Sequence, residues 1–214
     1  HCISEWGHDF RHDYARLGQF RRRLGNPPTI ALTATATVEV REDVVSQLGM
    51  SNAKTFVAGF ARPNLSYTAF TASGDRQKAD VLKAFLGQTT GSGIIYCSNR
   101  KGCEEVAESV AQQTGRKTGV YHAGMMPDDR RRAQEDFMAD RTEVVVATNA
   151  FGMGIDKPNV RFVVHYDMPK NIEGYYQEIG RAGRDGLPAD CLLLFSYGDI
   201  QKIKHFINQN EGHG

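Results

Sequence analysis

The stretch Glu143-Val144-Val145-Val146-Ala147-Thr148-Asn149-Ala150-Phe151-Gly152-Met153-Gly154-Ile155-Asp156, followed shortly by Arg161-Phe162-Val163-Val164-His165, decides the fold. Both apolar runs are too short for helices, are rich in β-branched or aromatic residues, and lack polar alternation. That pattern predicts strands covered on both faces, as in a parallel sheet. Working outward, similar runs occur at Thr29–Leu32, Thr55–Ala58, Gly93–Cys97, Gly119–His122 and Cys191–Phe195. Helical patterns fill the gaps. Cys103, Val106, Ala107, Val110 and Ala111 form one apolar stripe between Arg100 and Gln113. Val40, Val44 and Leu48 share a face, with Thr37 as N-cap and Gly49 as terminator. Pro127 suits a first helical turn, Asp128 and Asp129 suit its positive end, and Asn171 can cap a helix reaching Ile179. Strand–helix alternation at this spacing predicts an α/β fold built of βαβ units, with a mostly parallel sheet and right-handed crossovers.

Size and charge bound the function. The 214 residues suffice for one large domain or two small ones, and 26 Lys+Arg against 25 Asp+Glu leave a net charge of +1. A nucleic-acid site must then be a local patch rather than a global field, and a disordered acidic tail is disfavoured. No apolar run has the length of a membrane span, and no signal peptide is visible, so no membrane partner and no secretion are expected. The four cysteines form no C-x-x-C pair, which disfavours a disulfide scaffold or a tetracysteine zinc site and makes a reducing cytosol the default. The chain starts at His1 rather than Met, so it is expected to be a fragment. Pro63 disfavours helix, and a fresh strand–helix series is expected after it. Residues 1–60 are expected to hold two or three strands, too few to close a parallel sheet. Residues 64–209 are expected to hold five or six, enough for a complete α/β domain.

Ligands of parallel sheets bind at the carboxyl ends of strands. After the run 143–147, Thr148 and Asn149 offer short polar groups, Gly152 and Gly154 permit close backbone approach, and Asp156 is placed to accept from a ribose hydroxyl or to couple to a basic partner. A glycine-bearing turn capped by Asp156 is an equal reading of the same residues. Arg181 and Arg184 lie three residues apart among Gly180, Gly183 and Gly186, as guanidinium forks aimed at phosphate would. The alternative places them at a helix C-terminus, with a salt bridge to Asp185. Cys97-Ser98-Asn99-Arg100-Lys101 reads as a strand end leading into a helix, open to phosphate contact or to ordinary capping. His122 is a lone strand-end histidine without metal-ligand spacing. Arg130-Arg131-Arg132 has acidic neighbours and reads as a solvated face; Arg21-Arg22-Arg23 is less compensated and could touch nucleic acid. The P-loop signature G-x-x-x-x-G-K-[ST] is absent from these residues, as are G-x-S-x-G and H-E-x-x-H.

Taken in order, these segments resemble the RecQ family of superfamily 2 DNA helicases. His1-Cys2-Ile3-Ser4-Glu5-Trp6-Gly7-His8-Asp9-Phe10-Arg11 is similar to the family segment that begins at the last residue of the Asp-Glu-Ala-His box and runs into the aromatic-rich loop. Leu32-Thr33-Ala34-Thr35-Ala36 resembles motif III, and Ile94–Arg100 resembles motif IV. Tyr121–Met125 resembles the family element that follows, residues 144–158 motif V, and Tyr176–Gly186 motif VI.

The resemblance implies two RecA-like lobes with ATP in the cleft between them. Residues 1–62 would be the C-terminal portion of the first lobe, 63–209 the complete second lobe, and 210–214 a tail. It implies that Arg181 and Arg184 reach the γ-phosphate, with Arg184 as the finger and Gln177 at the same interface. Gly154 and Asp156 would lie near the nucleotide sugar. Trp6, Phe10 and Arg11 would sense single-stranded DNA, where aromatic rings stack on bases without sequence choice. Asn99, Arg100, His122 and Thr148 would contact the DNA backbone on the second lobe. ATP and Mg2+ would be held mainly by the absent part of lobe 1, required in cis; no zinc is expected here. The expected partner is DNA, single-stranded or at an unwinding junction. The expected setting is DNA repair and recombination in the bacterial cytoplasm and nucleoid, or in a nucleus. By itself the chain is expected to be inactive. A non-catalytic binding module and an RNA helicase of the same superfamily are the competing readings.

Overall fold

The computed structural model describes residues 1–4, 11–33, 36–57, 59, 61–152 and 155–200. Five of the predicted runs become strands and a sixth strand joins them: β1 (Leu65–Ala72), which matches none of the predicted runs, β2 (Ser92–Tyr96), β3 (Thr118–Tyr121), β4 (Val144–Ala147), β5 (Val160–His165) and β6 (Ala189–Ser196). They form one sheet in the order β1-β6-β5-β2-β4-β3. Every pairing is parallel. The central strands β2 and β4 are buried along their whole length, which is why their sequences show no polar alternation.

Period-2 geometry divides the side chains between two faces. Ile94, Tyr96, Val145, Ala147 and Val163 pack on one face with Phe137 of α5 (Pro127–Met138) and Ile179 of α6 (Ile172–Ile179). Ile95, Cys97, Val144, Val146, Phe162 and Val164 pack on the other, under Leu82 and Leu86 of α3 (Asp75–Gln88) and Cys103, Val106 and Val110 of α4 (Arg100–Thr114). This RecA-like arrangement agrees with the predicted α/β class. The caps form as the sequence predicts. Asn99 Oδ1 accepts from the Gly102 N–H at 2.8 Å, Asn171 Oδ1 accepts from Gly174 at 2.7 Å, and Pro127 opens α5.

The chain divides between Ala61 and Arg62 into two compact units. The first contains α1 (Leu17–Arg23) and α2 (Val38–Leu48), the latter capped by Thr37 and ended by Gly49 at φ 64°. Here the strand expectations fail. Residues 29–32 and 55–57 form no strand, and Ala58 lies outside the described residues. The reason is the lack of partners: a strand's N–H and C=O groups need a neighbouring ladder, and no strand occurs among the described residues of this unit. Ile30, Leu32 and Phe56 are accordingly 82%, 89% and 88% exposed. Arg21 makes contacts within the unit. Its guanidinium donates to Thr29 Oγ1 at 3.0 Å and to the Leu48 and Gly49 carbonyls at 3.3 and 3.2 Å, so it ties α1 to the end of α2.

Two elements carry little signal in the sequence. β1 lies at a sheet edge with Ser66–Ala69 all exposed, so polar residues interrupt its apolar pattern. α3 carries Lys78 in its buried stripe, where an apolar residue is expected. No helix among the described residues is long and apolar enough to cross a membrane.

Candidate nucleotide and nucleic-acid site

Because all six strands run parallel, the segments after β2, β3, β4 and β5 emerge at one edge of the sheet. The segment after β4 meets the turn after α6 there. Arg181 Nη1 donates to the Gly152 carbonyl. Gly152 sits at φ 147°, and a Cβ there would stand 2.2 Å from Arg181 Nη2, so only glycine lets the guanidinium lie on this backbone. Arg181 Nε is buried without a hydrogen-bond partner among the described residues. Beneath it, Tyr96 donates its hydroxyl to the Phe151 carbonyl at 3.1 Å. Burial pushes the Tyr96 phenol far above its ordinary pKa, against the opposing pull of Arg181, so it stays a neutral donor.

Arg184 Nη1 donates to Asp156 Oδ1 at 2.6 Å and to the Ile155 carbonyl at 3.0 Å. Asp156 is thus coupled to a basic partner. Its carboxylate is 89% exposed and the Arg184 side chain 34%, so the pair lies at the surface rather than in the core. Such a pair is weak and can exchange partners. The bridge to Asp185 that belonged to the alternative reading is not formed by Arg184. Asp185 takes a bidentate contact from Arg161 Nη2 at 2.6 and 2.8 Å instead, and that guanidinium holds its carboxyl below the ordinary value.

α6, which carries Gln177 half-buried, is fixed from below. His165 Nε2 lies 2.7 Å from Glu178 Oε2, and the His165 ring packs between Tyr96 at 5.4 Å and Tyr175 at 4.9 Å. Sequence reasoning missed this contact; the signal was a histidine ending an otherwise apolar strand.

The nucleic-acid candidates lie after β2, β3 and β4. Arg100 packs on the loop after β3: a Cβ at Gly124 would stand 2.9 Å from Arg100 Nη1. The Asn99 carbonyl oxygen is engaged in the α4 cap. The N–H of Ser98 donates to Asp167 Oδ2 at 2.8 Å. Asp167 Oδ1 lies 3.4 Å from Lys78 Nζ, which is fully buried and also donates to Asp199 Oδ2 at 2.6 Å and to the Tyr166 carbonyl at 2.9 Å. This second missed feature anchors the loop after β2 through a charged group. The His122 ring is buried, with Nε2 3.2 Å from Glu104 Oε1, while Ala123 and Gly124 beside it are exposed. Thr148 is half-buried and its N–H donates to the Tyr121 carbonyl at 3.2 Å. In α5, Arg131 pairs with Asp128 at 3.2 Å on a solvated face, as the acidic neighbours suggest.

In the first unit Arg11 is exposed, its guanidinium 5.8 Å from the Tyr14 ring. Trp6, Phe10 and Gly154 lie outside the described residues. Among the described residues no group of three or more His, Cys, Asp or Glu side chains is placed to hold a metal ion.

Comparison with known proteins adds an independent line. Residues 77–186 match the helicase conserved C-terminal domain. The chain is 47% identical over 212 residues to the RecQ-like DNA helicase blm-1 of Caenorhabditis elegans, covering 98% of this chain and 21% of that protein. It is 46% identical to the ATP-dependent DNA helicase RecQ of Haemophilus influenzae and 43% to the probable ATP-dependent DNA helicase RecS of Bacillus subtilis. It spans 33% and 42% of their lengths, while 95% and 97% of this chain is covered. Among solved structures, yeast Dbp5 bound to RNA and ADP BeF3 superposes with a TM-score of 0.70 at 22% identity, over 92% of this chain and 54% of that one. This last likeness concerns the fold alone.

Proposed function

The chain belongs to the helicase family defined by the conserved C-terminal domain, with RecQ-like DNA helicases among its relatives, and from that premise we propose that it is part of an ATP-dependent DNA helicase acting in DNA repair and recombination. The observation that carries the reading is the convergence of Arg181 and Arg184 on the segment after β4, at the carboxyl edge of the sheet. Residues 63–209 act as the second RecA-like lobe, and residues 1–62 as the C-terminal portion of the first.

The chemistry follows from the charges. When ATP held by the first lobe meets this edge, the Arg184 guanidinium leaves the exposed Asp156 for the γ-phosphate oxygens. A surface carboxylate competes poorly with a phosphoryl group gaining charge in the transition state. Arg184 is the finger, Arg181 holds the backbone of the segment after β4 and lends a second positive charge, and Gln177 faces the same nucleotide. Fingers of this kind contribute roughly 10³–10⁵ in rate in GTPases. Gly154 and Asp156 border the sugar. Arg100, Asn99, His122 and Thr148 lie along the DNA backbone path, and Trp6, Phe10 and Arg11 report bound single strand to the nucleotide. Closure with ATP and reopening after hydrolysis advance the strand by a population shift between two states. Mg2+ would accompany ATP, held mainly by the remainder of the first lobe, and would neutralise phosphate charge there. The protein works where DNA is, in the bacterial cytoplasm or in a nucleus.

The test uses the longer protein. Arg184→Ala is expected to abolish ATPase stimulated by single-stranded DNA while leaving DNA binding intact. The 214-residue chain alone is expected to show no stimulated turnover. Turnover by the chain alone that disappears on Arg184→Ala would overturn its assignment as a catalytically incomplete part. Stronger stimulation by RNA than by single-stranded DNA would favour the RNA helicase reading. DNA binding without ATPase in the longer protein would favour a binding module.

A further inference from the structure

We infer that Arg62 and Asn64, the residues that open the second unit, are positioning residues for the arginine-bearing turn, and that the chain leaving the first unit is thereby tied to the catalytic arginines. The inference rests on the reading of Arg181 and Arg184 given above.

Arg62 Nη2 donates to the carbonyls of Ala182 and Gly183 at 3.0 and 2.9 Å. Asn64 Nδ2 donates to the carbonyls of Gly183 and Leu187, both at 2.9 Å. Two side chains thus bridge about 120 residues of sequence to hold three carbonyls that flank Arg184 on both sides. The backbone joins in: the Ala189 N–H donates to the Asn64 carbonyl at 3.0 Å, and Leu65 pairs in register with Ala189.

The turn is shaped to receive these donors. Gly183 is buried at φ 55°, and a Cβ there would stand 2.5 Å from Asn64 Nδ2 and 2.8 Å from the Leu187 carbonyl oxygen. From the opposite side Arg161 grips Asp185 and the Pro188 carbonyl. The turn therefore has one clamp from β5 and one from the residues preceding β1. Only the second clamp is continuous with the junction: Ala61 closes the first unit and Arg62 is the next residue. A displacement of the chain at Ala61 pulls directly on the carbonyls of Ala182 and Gly183. Neither Arg62 nor Asn64 touches the nucleotide in this scheme; they act through where Arg181 and Arg184 stand.

Two measurements test it. In the 214-residue chain, Asn64→Asp keeps the size of the side chain but replaces the donor with an oxygen facing two carbonyls. Hydrogen exchange at the Gly183, Gly186 and Ala189 amides is expected to quicken by about tenfold or more, with α4 unchanged. In the longer protein, the same variant is expected to lower kcat for ATP by about tenfold or more, with KM for ATP and single-strand affinity unchanged, as befits an interaction made only in the transition state. Arg62→Gln removes the second pair of contacts and carries the same test should Asn64→Asp fold poorly; Arg62→Lys, which retains a donor, is expected to recover part of kcat. Unchanged exchange in the turn, exchange quickened equally in α4, or a loosened turn with unchanged kcat would each overturn the inference. If Arg184→Ala also leaves kcat intact, the reading of the site has failed, and the exchange experiment still decides whether the clamp exists.

Discussion

Phe162 and Phe56 are the same side chain in two regions, and their surroundings differ completely. Phe162 sits in β5 with no exposed surface, under α3 and α4. Phe56 is 88% exposed in an apolar run that forms no strand. The sequences around them look alike: Thr55-Phe56-Val57 and Arg161-Phe162-Val163 each place an aromatic beside a β-branched residue. A run of this kind becomes a strand only where neighbouring strands satisfy its backbone and helices cover its faces. The largest expected effect comes from testing that contrast directly. Phe162→Ala is expected to cost about 3–5 kcal/mol in urea unfolding, as for other large-to-small core changes. Phe56→Ala in the isolated chain is expected to stay within about 0.5 kcal/mol, as for exposed sites. Equal costs would mean that Phe56 packs in solution and that the contrast is wrong.

Lys78 sharpens the comparison from the charged side. The second unit buries it fully, between Asp199, Asp167 and the face of Tyr166 at 5.3 Å. Burial pushes the Asp199 carboxyl up, but hydrogen bonds from Lys78 and Ser196 outweigh it and hold it below its ordinary value. Lys78→Met leaves that carboxylate buried without its cation, and loss of one partner of a buried pair costs about 3–5 kcal/mol. The melting temperature of the second unit is expected to fall by roughly 10 °C, with α1 and α2 unaffected. Calorimetry of the variant checks the size, and circular dichroism at the midpoint checks that α2 remains.

Helix caps come next. Thr37 Oγ1 accepts from the Val40 N–H at 3.3 Å in the first unit, and Asn171 Oδ1 from Gly174 at 2.7 Å in the second. Replacing either by Ala is expected to cost about 1 kcal/mol. Asn171→Ala should register in global unfolding of the second unit, because α6 packs on the sheet through Ile179. Thr37→Ala should register as faster local exchange in α2, with the second unit untouched. Amide exchange by residue separates the two outcomes.

The same contrast explains what the sequence disclosed. β2, β4 and β5 were legible because burial on both faces leaves a continuous apolar run, and α2, α4 and α6 because caps and stripes are local. The runs at 29–32 and 55–57 misled because a strand is a property of its neighbours. β1 was hidden by edge exposure, and α3 by a lysine on its buried side. At the site, Arg181 and Arg184 stood out through their spacing among glycines. Gly152 and Asp156 stood out as a strand-end segment, but their pairing with these arginines did not, and Arg62 and Asn64 carried no signal, because these residues lie about 30 to 120 positions away and only the parallel sheet brings them together.

The smallest effect concerns two exposed carboxylates, one in each unit, held low for different reasons. Glu39, in the first turn of α2, is lowered by a hydrogen bond from its own backbone N–H and then by Thr37. Asp185 is lowered first by the Arg161 guanidinium. In both, the carboxylate is favoured by folding. The stability each contributes is complete above its ordinary value and is lost as the pH falls through the lowered one. Arg161→Gln is expected to return Asp185 toward the ordinary carboxylate range in an NMR titration and to leave Glu39 where it is. Added salt is expected to raise Asp185 as it screens the ion pair, and to move Glu39 less, since its leading cause is a hydrogen bond rather than an opposite charge. If Glu39 follows Asp185 on Arg161→Gln, the two units are electrostatically linked in solution and cannot be treated as independent when the arginine turn is probed.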